Sequence, residues 1–152
     1  MPYIFEMAPA GSKPFAIMAL IVAVTLIPLA LFGLLFFSAQ RVQFELSPEA
    51  LSVRGAWPYG RSIPAGALVV DQARQVDLSG ASPLRPKWRT NGVGLPGYKS
   101  GWFKLRNGEK ALLFVTDTER VVYVPTTNGY ALLLSVEDPP AFLGALREIA
   151  AR

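Results

Sequence analysis

From Phe15 to Phe37 the chain runs 23 residues without a charge, and Thr25 is the one clearly polar side chain among them. At 1.5 Å per residue such a run makes a helix of ~34 Å, enough to cross the ~30 Å hydrocarbon core of a bilayer with some tilt. Lys13 and Arg41 bracket the run. Backbone groups between them can be satisfied in hydrocarbon only by a helix, so one span is expected over residues 14–40, behind an N-terminal tail, residues 1–13. The run is too short for two spans. Pro28 removes one donor and frees the carbonyl of Val24, which predicts a kink near the middle that a nearby hydroxyl such as Thr25, or another helix, can mitigate. A cleaved signal peptide is the rival reading. Against it, the apolar stretch exceeds the roughly 7–15 residues usual for one, Glu6 is the only charge before Lys13, and Phe37-Ser38-Ala39 lacks a small residue at −3. The run is read as a retained anchor.

Ala16, Ala19, Ala23, Ala30 and Gly33 follow a 3-and-4 spacing broken only at Leu26, so they share a helix face. Small residues let membrane helices approach closely, which makes this face a candidate for self-association or for pairing with another span. Lys13 stands alone before the run while Arg41, Arg54 and Arg61 follow it, which leans towards a cytoplasmic C-terminal domain. The expected location is the bacterial inner membrane, crossed once.

The composition excludes much chemistry. Charged residues are only 17% of the chain, against about 25% in soluble proteins, consistent with an apolar excess held in lipid. Neither Cys nor His occurs, so disulfide scaffolds, zinc sites of the usual kind, thiol nucleophiles and Ser-His dyads are absent.

Residues 41–152 read as short strands closed by a helix. Val42, Phe44 and Leu46 alternate with polar residues, Ser47-Pro48-Glu49 turns the chain, and Leu51 and Val53 alternate again, which predicts a hairpin with one dry face. Arg61 to Pro64 predicts a third, edge-like strand because proline cannot donate within a ladder. Val69 to Leu78 is expected to be extended. Phe103 and Leu105, the Asn107-Gly108 turn, Ala111–Val115, Val121–Val124, Asn128-Gly129 and Tyr130–Leu134 predict four successive strands in a meander. Asp138 as N-cap, Pro139 at the first helical position, and Phe142, Leu146 and Ile149 on one face predict a closing helix over about 138–151.

The run from Arg89 to Phe103 (RTNGVGLPGYKSGWF), continued by Asn107-Gly108, Val121 to Thr126, Leu132 to Ser135 and Asp138-Pro139, resembles the bacterial pleckstrin-homology (PH)-like domain family. The earlier Leu51-Ser52-Val53 and Ile63-Pro64 fit its first strands more loosely. The resemblance covers about residues 41–151 and implies a mainly β fold: a partly open, seven-stranded barrel of two sheets, capped by a C-terminal helix. Members of that family often carry two spans before the barrel, whereas this chain offers one. Phosphoinositide binding by eukaryotic PH domains is fold-level analogy and is not carried over.

Gly92, Gly94 and Gly97 satisfy a GxGxxG pattern, but Pro96 interrupts it and a strand follows instead of a helix, so no nucleotide cofactor is expected. The glycines are read as a long loop before the Trp102 strand. Between Arg85 and Lys110 lie seven basic residues against the single acid Glu109. This concentration, interleaved with aromatic rings, suits an acidic protein face or anionic headgroups, although a solvated strand face produces the same pattern. The candidate binding surface is Arg85, Lys87, Arg89, Gly92, Gly94, Gly97, Tyr98, Lys99, Trp102 and Lys104.

Nucleic acid is a poor fit, because no known binding motif occurs. Asp117 with Glu119, Asp71 with Asp77, and Lys99 with Ser100 form no recognisable catalytic or metal set, and no metal is expected. The expectation is a non-catalytic binding or scaffolding protein with a protein partner. The alternatives are recognition of anionic lipid headgroups, or an unrecognised hydrolase or transferase.

Overall fold

The computed structural model describes residues 11–39 and 41–151. The expected tail up to residue 10, with Glu6, and the expected helix end Gln40 lie outside them. The chain divides into an N-terminal helical unit and a second unit beginning at Ala39.

The first unit is a continuous helix, α1, Lys13–Ala39, with Pro28 inside it. It is the one helix among the described residues long and apolar enough to cross a membrane, and none of the residues of its apolar window is buried. The Thr25 hydroxyl donates to the carbonyls of Ile21, 2.9 Å, and Val22, 3.0 Å. It therefore does not serve the Val24 carbonyl that Pro28 frees, because a hydroxyl on this helix reaches back three and four residues, not one.

The second unit is mainly β. Its small sheet orders β1 (Gln43–Leu46), β2 (Ala50–Arg54) and β3 (Ser62–Pro64), all antiparallel. As expected, Ser47 closes the first turn, its Oγ accepting from Ala50 N at 3.1 Å, and the Pro64 strand is an edge. Between Ala65 and Gln72 the chain makes two 3-10 turns, Ala65–Ala67 and Val70–Gln72. Only Arg74–Val76 (β4) is extended, so the continuous strand expected over Val69–Leu78 is not formed.

The large sheet contains β4, β5 (Pro86–Leu95), β6 (Tyr98–Leu105), β7 (Lys110–Val115), β8 (Val121–Pro125) and β9 (Ala131–Ser135), in the order β4-β8-β9-β7-β6-β5. The expected meander fails at one point. β9 inserts between β7 and β8, pairing parallel with β7 (Leu112 opposite Leu132) and antiparallel with β8. The apolar runs 111–115 and 131–134 are buried on both faces, and such strands carry no alternation from which a neighbour could be assigned. The described residues form nine strands where seven were expected. Among them is β5, which falls in the stretch read from sequence as a long loop.

Two cores lie on either side of this sheet. Leu112, Phe114, Val122, Val124, Leu132 and Leu134 face the small sheet and the closing helix α2 (Pro139–Ala150), packing with Leu51, Val53, Ile63, Leu143 and Leu146. Asp138 caps α2, accepting from Ala141 N at 3.0 Å. Leu143 joins Leu146 as the buried helix residue, while Phe142 packs only partly. The alternate residues Ala111, Leu113, Val115, Val121, Tyr123, Ala131 and Leu133 point the other way and pack with Phe103, Leu105, Leu78 and Leu84. Leu78 and Leu84 belong to residues 77–85, a strap joining the two edge strands β4 and β5. It starts beside Thr118, where Leu78 N donates to the carbonyl at 2.8 Å, and ends where Asn107 N donates to Pro83 O at 2.9 Å. Those anchor points sit at opposite ends of β7, so the strap crosses the sheet diagonally.

Candidate binding groove

β5 and β6 form a hairpin closed by Pro96-Gly97, with Leu95 opposite Tyr98. The stretch read from sequence as a loop is thus strand, turn and strand, with register shifts between Pro86 and Trp88 and between Arg89 and Asn91. Glycine and bulges erased the strand signal. Of the three motif glycines only Gly97 has positive φ, +74°, as the turn requires. Gly92 lies directly against the Ser100 carbonyl and Gly101, leaving no room for a Cβ, whereas a Cβ on Gly94 would meet only the Phe103 ring, at 3.6 Å.

Along this hairpin lies a depression of about 650 Å³ lined by Pro86, Lys87, Trp88, Arg89, Gly94, Leu95, Pro96, Lys99 and Phe103. It shares Pro86 and Lys99 with a second of about 370 Å³ lined also by Leu78, Ser79, Arg85, Val115 and Thr118. The two make one groove. The register explains its lining, since Arg89 opposes Phe103 and Gly94 opposes Lys99 on the strap-covered face. The floor is apolar (Phe103, Val115, Leu78), and the walls carry Arg85, Lys87, Arg89 and Lys99. Among the described residues no carboxylate lines either part. The Arg85 guanidinium lies 3.4 Å from the Gly80 carbonyl within the strap, and the Lys87 ammonium sits 4.8 Å above the Trp88 ring.

Asp77 and Asp117 lie near the Thr118 end. Asp77 accepts from the Ser79 hydroxyl at 2.5 Å and the Ser79 N–H at 2.7 Å, and these bonds hold its carboxyl below the usual range. Asp117 accepts from Glu119 N at 2.9 Å and from the Arg120 guanidinium at 2.8 Å, which lowers it likewise. Both carboxylates tie local turns.

Five of the ten expected surface residues, Arg85, Lys87, Arg89, Gly94 and Lys99, therefore meet at this groove, and Gly97 closes the hairpin without lining it. Gly92 sits in the hairpin behind it. Tyr98, Trp102 and Lys104 follow the opposite phase of β6 and face away. Trp102 packs edge-on to Tyr130 at 5.0 Å, with the Arg61 guanidinium at 5.1 Å and the Lys110 ammonium at 4.5 Å from its ring. Lys104 stands opposite Lys110. Sequence reasoning missed Leu78, Phe103, Val115 and Thr118 as lining residues. Strand register brings Phe103 beside Arg89 and Val115 beside Lys99, whereas Leu78 arrives only with the crossing strap, and a loop's path leaves no local signal.

Neither the curated proteins nor the solved structures yield a significant match to the chain. The family model for the bacterial PH domain matches residues 42–150, which is the whole of the two-sheet unit and its closing helix. The chain belongs to the bacterial PH domain family.

Proposed function

We propose that this protein is a membrane-anchored, non-catalytic binding module that receives an acidic element of a protein partner in the groove between the strap and the β5–β6 hairpin. The observation that carries the reading is that Arg85, Lys87, Arg89 and Lys99 surround one apolar-floored groove with no carboxylate in its lining among the described residues. Unneutralised cations beside low-dielectric walls focus potential and attract anions. Membership of the bacterial PH domain family supports a binding or scaffolding role in general. The length and apolarity of α1 support a single span. The excess of arginines after the span supports an inner-membrane protein with its PH domain in the cytoplasm. Ala16, Ala19, Ala30 and Gly33 are exposed on the helix and support close approach of a second span. Weakened association of Ala23→Ile/Ala30→Ile in a membrane two-hybrid assay tests that part.

Anionic lipid is the second reading, favoured by the same cations. A photoreactive residue in place of Trp88, in the full-length protein in its own membrane, separates the two. A discrete protein adduct that disappears in Arg89→Glu/Lys99→Glu supports the partner reading. Phospholipid adducts with the same charge dependence support the lipid reading. Adducts indifferent to that charge reversal remove the groove from the function.

A further inference from the structure

We propose that the loop between β2 and β3 is a second membrane contact, with Trp57 seated in the headgroup region of the bilayer that α1 enters. The proposal rests on reading α1 as a span. Trp57 is 93% exposed, the most exposed of the large apolar side chains among the described residues. The loop that carries it is nonetheless well pinned. Tyr59 N and Gly60 N both donate to the Ala56 carbonyl, at 2.7 and 2.8 Å, and Val53 N donates to Arg61 O at 2.8 Å. Ala56 is buried in the core between the sheets, and the Tyr59 hydroxyl donates to Asn91 Oδ1 at 3.0 Å. The indole is thus held outward by an ordered loop and left uncovered by the rest of the domain.

The position of the loop in the domain selects the occupant. Gly55, with φ +75°, lies directly against the Arg41 carbonyl, and Gln43 opens the β1–β2 ladder opposite Arg54. Arg41 is two residues beyond Ala39, the last residue of α1. At no more than ~3.6 Å per residue, the chain cannot carry the loop base further than ~7 Å from the end of the helix. Trp57 is in turn two residues past Gly55. The headgroup layer is several ångströms thick on each side of the hydrocarbon, so the short chain between Ala39 and the loop lets the tip reach it when the loop is turned towards the bilayer. An indole has an apolar body and one N–H donor, the combination that concentrates tryptophan at membrane interfaces. A loop that anchors there turns a single attachment into a two-point one and limits which face of the domain is offered to partners.

The test uses the full-length protein in nanodiscs, comparing lipids brominated near the headgroup end of the acyl chain with unbrominated ones. The expected result is quenching of tryptophan emission by the bromolipid, most of which disappears in Trp57→Phe but persists in Trp88→Phe. Quenching unchanged in Trp57→Phe, or no quenching of a protein that has entered the discs, overturns the proposal. A Trp57 free in water or reserved for a protein partner would give that result. Failure to enter the discs, or release from native membranes by alkaline carbonate, instead overturns the reading of α1 as an anchor. Because the Trp57 side chain packs against nothing in the domain, circular dichroism of Trp57→Phe should match the wild type.

Discussion

The Tyr59 hydroxyl donates to Asn91 Oδ1 across 3.0 Å, joining the loop that precedes β3 in the small sheet to the edge strand of the large one. The residues are 32 apart in sequence. Tyr59 also packs partly against the core between the sheets. Removing the bond with Tyr59→Phe keeps that packing and should cost about 0.5–1 kcal/mol, the lower part of the range for a neutral hydrogen bond because the pair is exposed. Asn91→Ala should cost a similar amount. The double variant should cost less than the sum, since each single change already removes the same bond. Thermal unfolding of the full-length protein in detergent measures all three, and strict additivity would show that the bond contributes nothing.

The three glycines of the GxGxxG run should respond unequally. Gly92→Ala places a methyl group against the Ser100 carbonyl and Gly101 backbone, so the hairpin must open, and folding should be lost or reduced by several kcal/mol. Gly97→Ala strains a turn residue with φ +74° and should cost about 1 kcal/mol. Gly94→Ala meets only the Phe103 ring at ordinary contact distance and should be nearly neutral for stability while narrowing the groove. Equal losses at all three, measured by denaturant unfolding, would show that the glycines serve some shared purpose other than backbone fit.

The parts of this fold that were legible in the sequence are those with a local cause. The β1–β2 hairpin follows from the alternation of Phe44, Leu46, Leu51 and Val53, and α2 from the Asp138 cap and Pro139. The positions of the groove cations were legible as a charge concentration. Their division was not. Lys99 and Lys104 lie on opposite faces because the two-residue period of β6 separates them, and that period was not read outward from Phe103 through the glycines. The insertion of β9 between β7 and β8 was equally hidden, because Leu112, Leu113, Leu132 and Leu133 are all fully buried. A strand apolar on both faces specifies burial but not its neighbours.

Acid should loosen the end of the groove beyond Thr118. The Asp117 carboxyl is held below its ordinary range first by the Glu119 backbone N–H and then by Arg120, and that of Asp77 by the Ser79 hydroxyl and N–H. A carboxyl lowered in the folded state contributes stability above its unfolded pKa of about 3.9 and loses it as pH falls through the folded value. Melting temperatures should therefore hold from neutrality to about pH 5 and decline below about pH 4. In Asp77→Asn/Asp117→Asn the protein should melt lower at neutral pH but show a shallower decline in acid. Parallel pH profiles would mean that these turns do not carry the acid sensitivity.

The strap offers the sharpest separation of stability from binding. Leu84, 5% exposed, fastens it to the outer core, and Arg85 beside it contributes to the groove wall. Leu146, 1% exposed, fastens α2 to the other core and touches no part of the groove. Either leucine replaced by alanine should cost about 2–5 kcal/mol. Only Leu84→Ala should also weaken binding at the groove, because a loosened strap no longer fixes Arg85 and Leu78 against the hairpin. The readout is capture of an acidic peptide by the full-length protein in nanodiscs, at a temperature where both variants remain folded. Capture reduced at least several-fold in Leu84→Ala and unchanged in Leu146→Ala is the expected pattern. Equal capture by the two variants would mean that β5 and β6 alone form the binding surface and that the strap serves only to cover the sheet.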